Sequence, residues 1–370
     1  MNAVLKDADP AQLLTHFGGI TLLERHLHLL KRAGAKRVRI AMKMPAENGL
    51  RFPKNLEIEW DSATIEGPTL VLSANHLLRR KKLDAIASEG PGVYWNPEGA
   101  EVLRVEPAEK AAPITLAPDD SIRLDADTPK LSWLLQEARK DTDSFMAKHF
   151  DRHISLAATR LLLNTTIAPT HMTLFSCVVG LTGAAMLAEG SFAWMLAGAL
   201  TIWTHTLFDG CDGELARIRY QESRLGGQID FWGDNLIHFT LFTALGIGRW
   251  RMTGEYPLLI LGAIAGISSL IAAWLVYRHT TQQEKKRAEG GPLFQGVASV
   301  AEPEAGKVRT LLAKVEDTLT QRDFIYLFVF LAAIDKLDPF LWLSGIGTPL
   351  FALIFLALQI TAKKQEEIRL

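Results

Sequence analysis

Two patterns of hydrophobic and polar positions divide this chain of 370 residues. Charged residues are dense before about residue 165, whereas long windows without charge follow from Met172 onward. Several of the later apolar runs approach the roughly 20 residues that a helix needs to cross a bilayer. The pattern therefore predicts a soluble part followed by a part that is embedded in a membrane.

Six membrane spans are predicted in the second part, with the fifth and sixth separated by an outer turn at residues 335–338. Their ranges are 172–188, 191–208, 229–248, 256–277, from about 323 to that turn, and 340–362. Ahead of them, apolar positions within residues 141–168 recur at helical spacing beside basic residues, which predicts an amphipathic helix in the membrane interface. Packing of this helix on the soluble part is the alternative.

Basic residues predict the orientation of the spans. Lys and Arg are frequent in the loop of residues 278–322 and in the C-terminal tail, whereas the opposite side has mainly Arg249 and Arg251. By the positive-inside rule, both termini then face the cytosol. The first ten residues are polar and lack the apolar stretch of a signal peptide. We expect a multi-pass integral membrane protein, in the inner membrane if the source is bacterial.

The first 109 residues predict a small α/β domain. Leucines between residues 22 and 30 recur at helical spacing, Gly34 can end that helix, and residues 38–42 read as a strand. Further short strands are predicted at residues 69–73, 92–95 and 101–105. Four prolines between residues 107 and 130, with acidic residues among them, predict a linker, which we place at residues 110–140.

Composition narrows the functional classes. The net charge of −1 argues against a nucleic-acid partner. The two cysteines, Cys177 and Cys211, define no disulfide framework, and Cys211 is interpreted as a packing residue.

The segment from Asp209 to Asp234 carries the candidate chemistry. Read as a helix, Asp209 and Asp212 share one face with Gly213 and Ala216. On a second helix, Gly226, Asp230 and Asp234 follow one another at intervals of four residues. Four carboxylates on two facing helices would repel one another unless divalent cations lay between them. Solvated loop carboxylates or helix N-caps are the alternative, but eight identities at one fixed spacing are far too many for chance.

That spacing, D-x2-D-G-x2-A-R-x8-G-x3-D-x3-D, resembles the signature of the CDP-alcohol phosphotransferase family, with no position missing. The resemblance implies transfer of a substituted phosphate group from a CDP-linked alcohol to an acceptor hydroxyl, with release of CMP, in phospholipid or polar phosphodiester synthesis. It implies two Mg²⁺ or Mn²⁺ ions at a site formed by four aspartates. Asp209, Asp212 and Asp230 are the expected metal ligands, and Asp234, counted among the four metal-site residues, is the expected general base.

The resemblance also implies nucleotide contacts. Gly213, Ala216 and Gly226 lack bulky side chains, so a nucleotide can lie against them, and Arg217 offers phosphate a planar fork. For Arg217, an ordinary arginine at the membrane edge is the alternative. The sequence from Ala168 to Thr173 is similar to the family's entry to the first span, although histidine replaces an asparagine there, and it makes Thr173 a further candidate. His205 and His238 are interpreted as bonding to neighbouring carbonyls.

The N-terminal part is similar to sugar-phosphate nucleotidyltransferases over its helix-strand unit, residues 19–42. Their glycine-rich loop, which holds the triphosphate, is missing before Gly18, and Asn75 stands where a metal-binding aspartate is expected. Because a neutral amide is a poor ligand for Mg²⁺, we interpret residues 1–109 as a truncated, inactive domain. In relatives with a complete cytidylyltransferase, the soluble part makes CDP-inositol for the membrane part.

Donor and acceptor stay open at this stage. CDP-diacylglycerol is the simpler donor because it is already a membrane lipid, and the acceptor is then a small polar alcohol, phosphorylated or not. Soluble CDP-inositol, giving an inositol phosphodiester, is the alternative, and residues 322–326 resemble the start of span five in the branch that uses inositol phosphate. We also expect a homodimer. A cation transporter and an inactive scaffold are the rival classes, although the clustering and completeness of the aspartates favour neither.

Overall fold

The structure, a computed structural model, describes a chain that divides into two compact units. The described residues are 2–45, 49–61, 69–89, 91–108, 113–124, 131–139, 143–286 and 323–369. The first unit comprises Met1–Arg139, Arg160–Thr166 and Glu214–Gln221, and the second comprises Lys140–Thr159, Ile167–Gly213 and Glu222–Leu370. Most of the predicted basic loop, including Arg322, lies outside the described residues.

The first unit is built on a seven-stranded sheet of order β10-β8-β9-β6-β1-β4-β5, with two further strand pairs, β11-β7 and β2-β3. The strands are β1 Asn2–Lys6, β2 His16–Phe17, β3 Ile20–Thr21, β4 Arg37–Ile40, β5 Glu57–Trp60, β6 Thr69–Ser73, β7 His76–Leu78, β8 Gly92–Trp95, β9 Glu101–Val105, β10 Pro113–Thr115 and β11 Ser121–Arg123. Its helices are α1 Pro10–Leu13, α2 Leu22–Arg32, α3 Arg80–Glu89 and α4 Leu131–Gln136.

Parallel pairing forms the centre of this sheet. Strand β1 lies between β4 and β6, with Val4 opposite Arg39 on one side and Val71 on the other. Strand β9 is antiparallel to β6 and to β8. Parallel strands are usually buried on both faces, and β6 is buried along its whole length. The predicted N-terminal α/β domain is therefore present.

Helix α2 is defined by its ends. The Thr21 hydroxyl accepts a hydrogen bond from the amide of Glu24 (3.2 Å), and the Glu24 carboxylate accepts one from the amide of Thr21 (2.7 Å). This reciprocal capping box satisfies amides that the first helical turn leaves without partners. At the other end, Gly34 adopts a φ of +90°, which ends the helix where the sequence predicts.

Strands β10 and β11 lie within the range predicted as a linker. Strand β10 pairs in parallel with β8, and β11 pairs antiparallel with β7. Proline is tolerated at the first residue of a strand, which is the position that Pro113 occupies.

The second unit is helical. A turn of π-helix at Ala147–Asp151 leads into α5 Arg152–Leu162. Six longer or apolar helices follow: α6 Pro169–Ala188, α7 Phe192–Arg219, α8 Arg224–Thr253, α9 Tyr256–Lys286, α10 Phe324–Ala333 and α11 Asp338–Arg369. The ends of α5 and α7 belong to the first unit. Apolar side chains of helices α6 to α11 form a common core, which includes Leu187, Ile202, Leu245 and Phe328.

Three helices in the described part of the chain are long and apolar enough to cross a membrane. They are Pro169–Ala188, Tyr256–Thr281 and Asp338–Thr361, and Phe324–Ala333 is a shorter apolar helix. These helices indicate a membrane protein. Helices occupy the other ranges predicted as spans, but the count of six is not confirmed.

Close backbone contact joins α6, α7 and α8. A Cβ atom on Gly248 would lie 2.0 Å from the carbonyl oxygen of Leu187, and one on Gly190 would lie 2.7 Å from that of Gly248. Small residues allow helix backbones to approach in this way. The turn between α6 and α7 thus packs directly on the backbone of α8.

Candidate metal and nucleotide site

Two helices position the predicted site residues. Asp209, Asp212 and Gly213 lie on α7, and Gly226, Asp230 and Asp234 lie on α8. The Ser223 hydroxyl caps α8 by accepting a hydrogen bond from the amide of Gly226 (3.0 Å). This cap fixes where α8 begins.

The structure brings the four aspartates together as the motif predicts. Ligand atoms of Asp209, Asp212 and Asp230 lie within 4.8 Å of one another, and those of His205, Asp209 and Asp234 do the same. Asp209 belongs to both groups and is 5% exposed. Carboxylate oxygens are the ligands that Mg²⁺ and Mn²⁺ favour, so this donor set fits the cations that the family implies.

Thr173 contacts one of these aspartates. The Thr173 hydroxyl on α6 donates to the Asp212 carboxylate and lies 3.3 Å from the carbonyl oxygen of Pro169. The other carboxylate oxygen of Asp212 accepts the amide of Gly213. Thr173 is predicted as a nucleotide contact, and in the structure its hydroxyl is hydrogen-bonded to a candidate metal ligand. The crossing of α6 and α7, which sequence spacing does not encode, makes this contact.

His205 on α7 lies beside the aspartates. Its Nδ1 lies 2.8 Å from the carbonyl oxygen of Ser176, which agrees with the interpretation of a histidine bonded to a backbone carbonyl. It also lies with Asp209 and Asp234 in a group that could hold a metal ion. A histidine that ligates a metal commonly bonds a backbone carbonyl through its other ring nitrogen, which is the kind of contact that His205 makes with Ser176. The available signal was the spacing of four residues between His205 and Asp209.

A small cavity borders the same group. Its volume is about 20 Å³, enough for water and not for a substrate. Polar side chains of His205, Thr206, Asp234 and His238 line it together with apolar side chains of α7, α8 and α10. The cavity is thus large enough to hold water beside Asp234.

The predicted nucleotide residues occupy different surroundings. Gly213 and Ala216 are half-buried along α7, and Gly226 lies in the first turn of α8. Nε of Arg217 donates to the carbonyl of Ala138 (2.8 Å). This bond uses one of the five N–H donors of the guanidinium. At the start of α6, Nδ1 of His171 accepts a hydrogen bond from the amide of Ala168 (3.3 Å).

Residues 323–326, from the segment that resembles the inositol-phosphate branch, contact the start of the predicted amphipathic helix of residues 141–168. Asp323 accepts a hydrogen bond from the Ser144 hydroxyl (2.5 Å), and the Tyr326 hydroxyl donates to Asp151. Arg322, the third residue of interest, lies outside the described residues. The two described polar side chains thus join the start of α10 to residues 144–151.

Comparison with known proteins agrees with this geometry. The family model for CDP-alcohol phosphatidyltransferase matches residues 166–313, which include all four aspartates. The chain is thus similar to this family over residues 166–313. The resemblance predicted from the aspartate motif is confirmed for these residues.

Two curated relatives are both named bifunctional IPC transferase and DIPP synthase. The protein from Rubrobacter xylanophilus is 36% identical over 205 residues, which are 51% of this chain and 43% of the relative. The protein from Archaeoglobus fulgidus is 35% identical over 103 residues, which are 28% of this chain and 20% of the relative. The chain thus spans less than half the length of the curated relatives that it matches.

Two crystal structures of Mycobacterium tuberculosis phosphatidylinositol phosphate synthase are also similar, at 20% identity. The structure with CDP-DAG bound covers 56% of this chain and 93% of its own, with a TM-score of 0.38. The structure in complex with manganese and citrate covers 55% and 88%, with a TM-score of 0.37.

Proposed function

We propose that this protein transfers a substituted phosphate group from a CDP-linked alcohol to the hydroxyl of an acceptor alcohol and releases CMP. The observation that carries the proposal is the convergence of Asp209, Asp212, Asp230 and Asp234 from two helices within a recognised domain. Each charged carboxylate in an apolar helix bundle costs on the order of 3 kcal/mol. Four of them together therefore indicate a function that requires them.

The four aspartates have two different roles in this proposal. Asp209, Asp212 and Asp230 hold divalent cations, with Asp234 beside them as general base. Bound Mg²⁺ or Mn²⁺ would supply charge neutralisation and a template for the diphosphate. Asp234 takes the proton of the acceptor hydroxyl as its oxygen bonds to the β-phosphorus. The bond from that phosphorus to the bridging oxygen breaks, and CMP leaves with the oxygen.

Nucleotide binding is assigned to the faces of α7 and α8 that lack large side chains. Gly213, Ala216 and Gly226 allow a nucleotide to approach the helix backbone, and the planar guanidinium of Arg217 binds phosphate. We also propose that the site and both termini face the cytosol, that six helices span the membrane, and that the protein is a homodimer.

Two donors are compared. CDP-diacylglycerol is already in the membrane and needs no soluble supply, which supports a lipid donor. The names of the curated relatives support the alternative, an inositol phosphodiester made from CDP-inositol.

In the N-terminal domain, β1 passes through Asp7 to Asp9 directly into α1, without a glycine-rich loop. We expect that the chain itself supplies no CDP-alcohol, so CTP incubated together with inositol 1-phosphate should release no pyrophosphate with the full-length protein.

Metal dependence tests the reaction class. CMP release from a CDP-alcohol by the purified protein should stop in a chelator and return with Mg²⁺ or Mn²⁺. Activity that persists in the chelator would contradict the metal site. A transporter would instead move cations across vesicles without releasing CMP.

A matrix of substrates tests donor and acceptor. The protein is incubated with CDP-diacylglycerol or CDP-inositol, and each is combined with inositol phosphate, glycerol phosphate or no acceptor. Mass spectrometry then identifies which pair yields CMP and a new phosphodiester. Product from CDP-inositol alone would replace the lipid donor and leave the reaction type unchanged.

A further inference from the structure

Helix α7 belongs to both units of the chain. Its residues up to Gly213 lie in the second unit, whereas Glu214–Gln221, which hold its last turns, lie in the first. Asp212 comes two residues before that boundary, and Asp209 lies one helical turn earlier on the same face. The last turns of α7 are therefore packed in the α/β domain, next to the turns that carry two candidate metal ligands.

Arg25 on α2 binds the end of α7 directly. Its side chain is buried, and its two terminal nitrogens donate to the carbonyl oxygens of Ile218 (3.0 Å) and Phe17 (2.7 Å). Ile218 lies in the last turn of α7, where carbonyls have no partner within the helix. Burial lowers the pKa of Arg25 to about 10, so the side chain remains a cation at neutral pH. A buried cation of the α/β domain thus binds the last turn of α7.

Tyr220 is held on several sides just after α7 ends. Its backbone has a φ of +52°, which is rare for a residue with a large side chain. The ring stacks on His28 at 4.8 Å, with the guanidinium carbons of Arg80 and Arg25 4.1 Å and 5.6 Å from its centroid. Desolvated cation–π contacts are among the stronger interactions of aromatic side chains.

Arg219 joins the same turn to the end of α5. One of its nitrogens donates to the carbonyls of Leu162 (2.7 Å), Leu163 (3.1 Å) and Thr165 (2.7 Å). Gly19, with a φ of +85°, allows this approach, because a Cβ atom there would lie 2.6 Å from Nε of Arg219. Two arginines and one aromatic ring thus fix the last turn of α7 inside the α/β domain.

We propose that the N-terminal α/β domain is a clamp on the end of α7, and that Arg25 and Tyr220 act as positioning residues for Asp209 and Asp212. A hydrogen-bonded helix transmits a displacement of its end to neighbouring turns, and metal ligands tolerate displacements of only about 0.5 Å. This explains why a domain without a triphosphate loop keeps a buried cation and a strained tyrosine. The inference rests on the proposed function only in taking the two aspartates as metal ligands.

Hydrogen exchange in the full-length, detergent-purified protein tests the clamp. Arg25→Met should speed amide exchange in peptides that cover residues 209–213. Arg32→Met is the matched control, because Arg32 lies on the same helix in an exposed ion pair with Asp84 (2.7 Å) and should leave that exchange unchanged. If Arg25 only stabilised its own domain, exchange would rise across the strands and not at residues 209–213.

Metal affinity is the second measurement. Free Mn²⁺ is followed by electron paramagnetic resonance as it is titrated into each variant. Arg25→Met should weaken Mn²⁺ binding by about tenfold, the loss typical of groups that orient a metal ligand, while Arg32→Met should bind like the unchanged protein. Unchanged Mn²⁺ affinity together with unchanged exchange in Arg25→Met would overturn the proposal.

Two variants at Tyr220 test the clamp independently in case Arg25→Met does not fold well enough to be purified. Tyr220→Leu removes the ring and should show the same faster exchange and weaker Mn²⁺ binding. Tyr220→Phe keeps the ring against His28 and Arg80 and should restore both values. Equal behaviour of the two variants would count against the clamp. Hydrogen exchange is measured without metal or substrate. If the protein without substitutions released no CMP, that result would contradict the proposed reaction and not the clamp.

Discussion

The carboxylates of the candidate site differ in their neighbours, and this difference separates their roles. Asp212 is buried and accepts hydrogen bonds from Thr173 and from the amide of Gly213. Asp234 borders the cavity that His205 and His238 also line. A carboxylate bound on both oxygens suits a fixed ligand, whereas one beside a water-sized cavity suits a group that takes up and releases a proton.

Substitution of single aspartates tests this division. Asp234→Asn should abolish CMP release while binding of a CDP-alcohol largely survives, because the amide cannot accept the acceptor's proton. Asp212→Asn should weaken both binding and turnover, since a metal ligand is lost. Equilibrium binding and single-turnover assays measure the two effects. Equal loss of binding in both variants would make Asp234 one more ligand.

Thr173 gives a second test at the scale of a residue. Thr173→Val removes the hydroxyl from Asp212 and should weaken Mn²⁺ binding by about tenfold. Thr182→Val, on the same helix, is the control, because its hydroxyl bonds only to the carbonyl of Val178 among the contacts described (2.8 Å). A raised KM for the CDP-alcohol with unchanged Mn²⁺ affinity would instead support the nucleotide contact that the resemblance implies.

Residue spacing predicts contacts along one helix better than contacts between helices. The grouping of Asp209 with Asp212, and of Asp230 with Asp234, follows from intervals of three and four. The contacts of Thr173 with Asp212 and of Arg25 with Ile218 depend on how distant segments cross, which is set by packing of the whole bundle or domain. The sequence therefore predicted the aspartate cluster and not these contacts between distant segments.

At the scale of elements, the end of α8 is joined to the turn between α10 and α11. Arg249 is buried and makes two hydrogen bonds to Asp338 (2.5 and 2.8 Å) and one to Asp335 (3.0 Å). The sequence interpretation placed all three residues on the outer side of the membrane. The sequence did not predict the ion pairs of Arg249 with Asp335 and Asp338, because more than 80 residues separate Arg249 from the two aspartates.

Loss of this ion pair should destabilise the helix bundle. Arg249→Met leaves two aspartates without their cation and should cost roughly 2 to 3 kcal/mol, below the value for a fully buried pair because both aspartates are partly exposed. The measurement is the melting temperature in detergent. Arg251→Met is the control, since exposed Arg251 donates only to the carbonyl of Ala188 among its described contacts (2.8 Å). Equal melting temperatures would contradict a stabilising role.

Secondary structure was predictable where a pattern extends over several residues. Helix α2 and strands β6, β8 and β9 lie where periodicity and turn residues indicate. Strand β1 was not predicted, because its apolar residues 3–5 lie in a segment that is otherwise polar, although two parallel neighbours bury it. Short strands β10 and β11 gain their stability from partners distant in sequence, which a local reading of prolines does not detect.

At the scale of the whole molecule, stability should depend on pH through two histidines of α2. Burial lowers the pKa of His26, and it lowers the pKa of His28 to about 4, against the opposing effects of a backbone hydrogen bond to Arg51 and of nearby Glu24. Both pKa values are lower in the folded state than the ordinary 6.5. The unfolded chain therefore binds more protons below pH 6.5, and stability falls as pH decreases from 6.5 toward 4.

The melting temperature of the purified protein, measured from pH 7.5 to pH 5, checks this dependence. It should fall with decreasing pH, and less steeply in His28→Gln, which cannot be protonated. An identical slope in the variant would show that other groups set the pH dependence.

The backbone contact between Gly190 and Gly248 has a consequence for sequence variation. Each glycine lies against a carbonyl oxygen, and neither the turn after α6 nor the backbone of α8 can retreat without separating helices that share a core. The methyl group of an alanine at either position would collide with a backbone oxygen. Because that oxygen belongs to the main chain, no substitution of a neighbouring side chain could make room for the methyl group. These two positions, far in sequence from the aspartates, should therefore be among the least variable in the membrane domain.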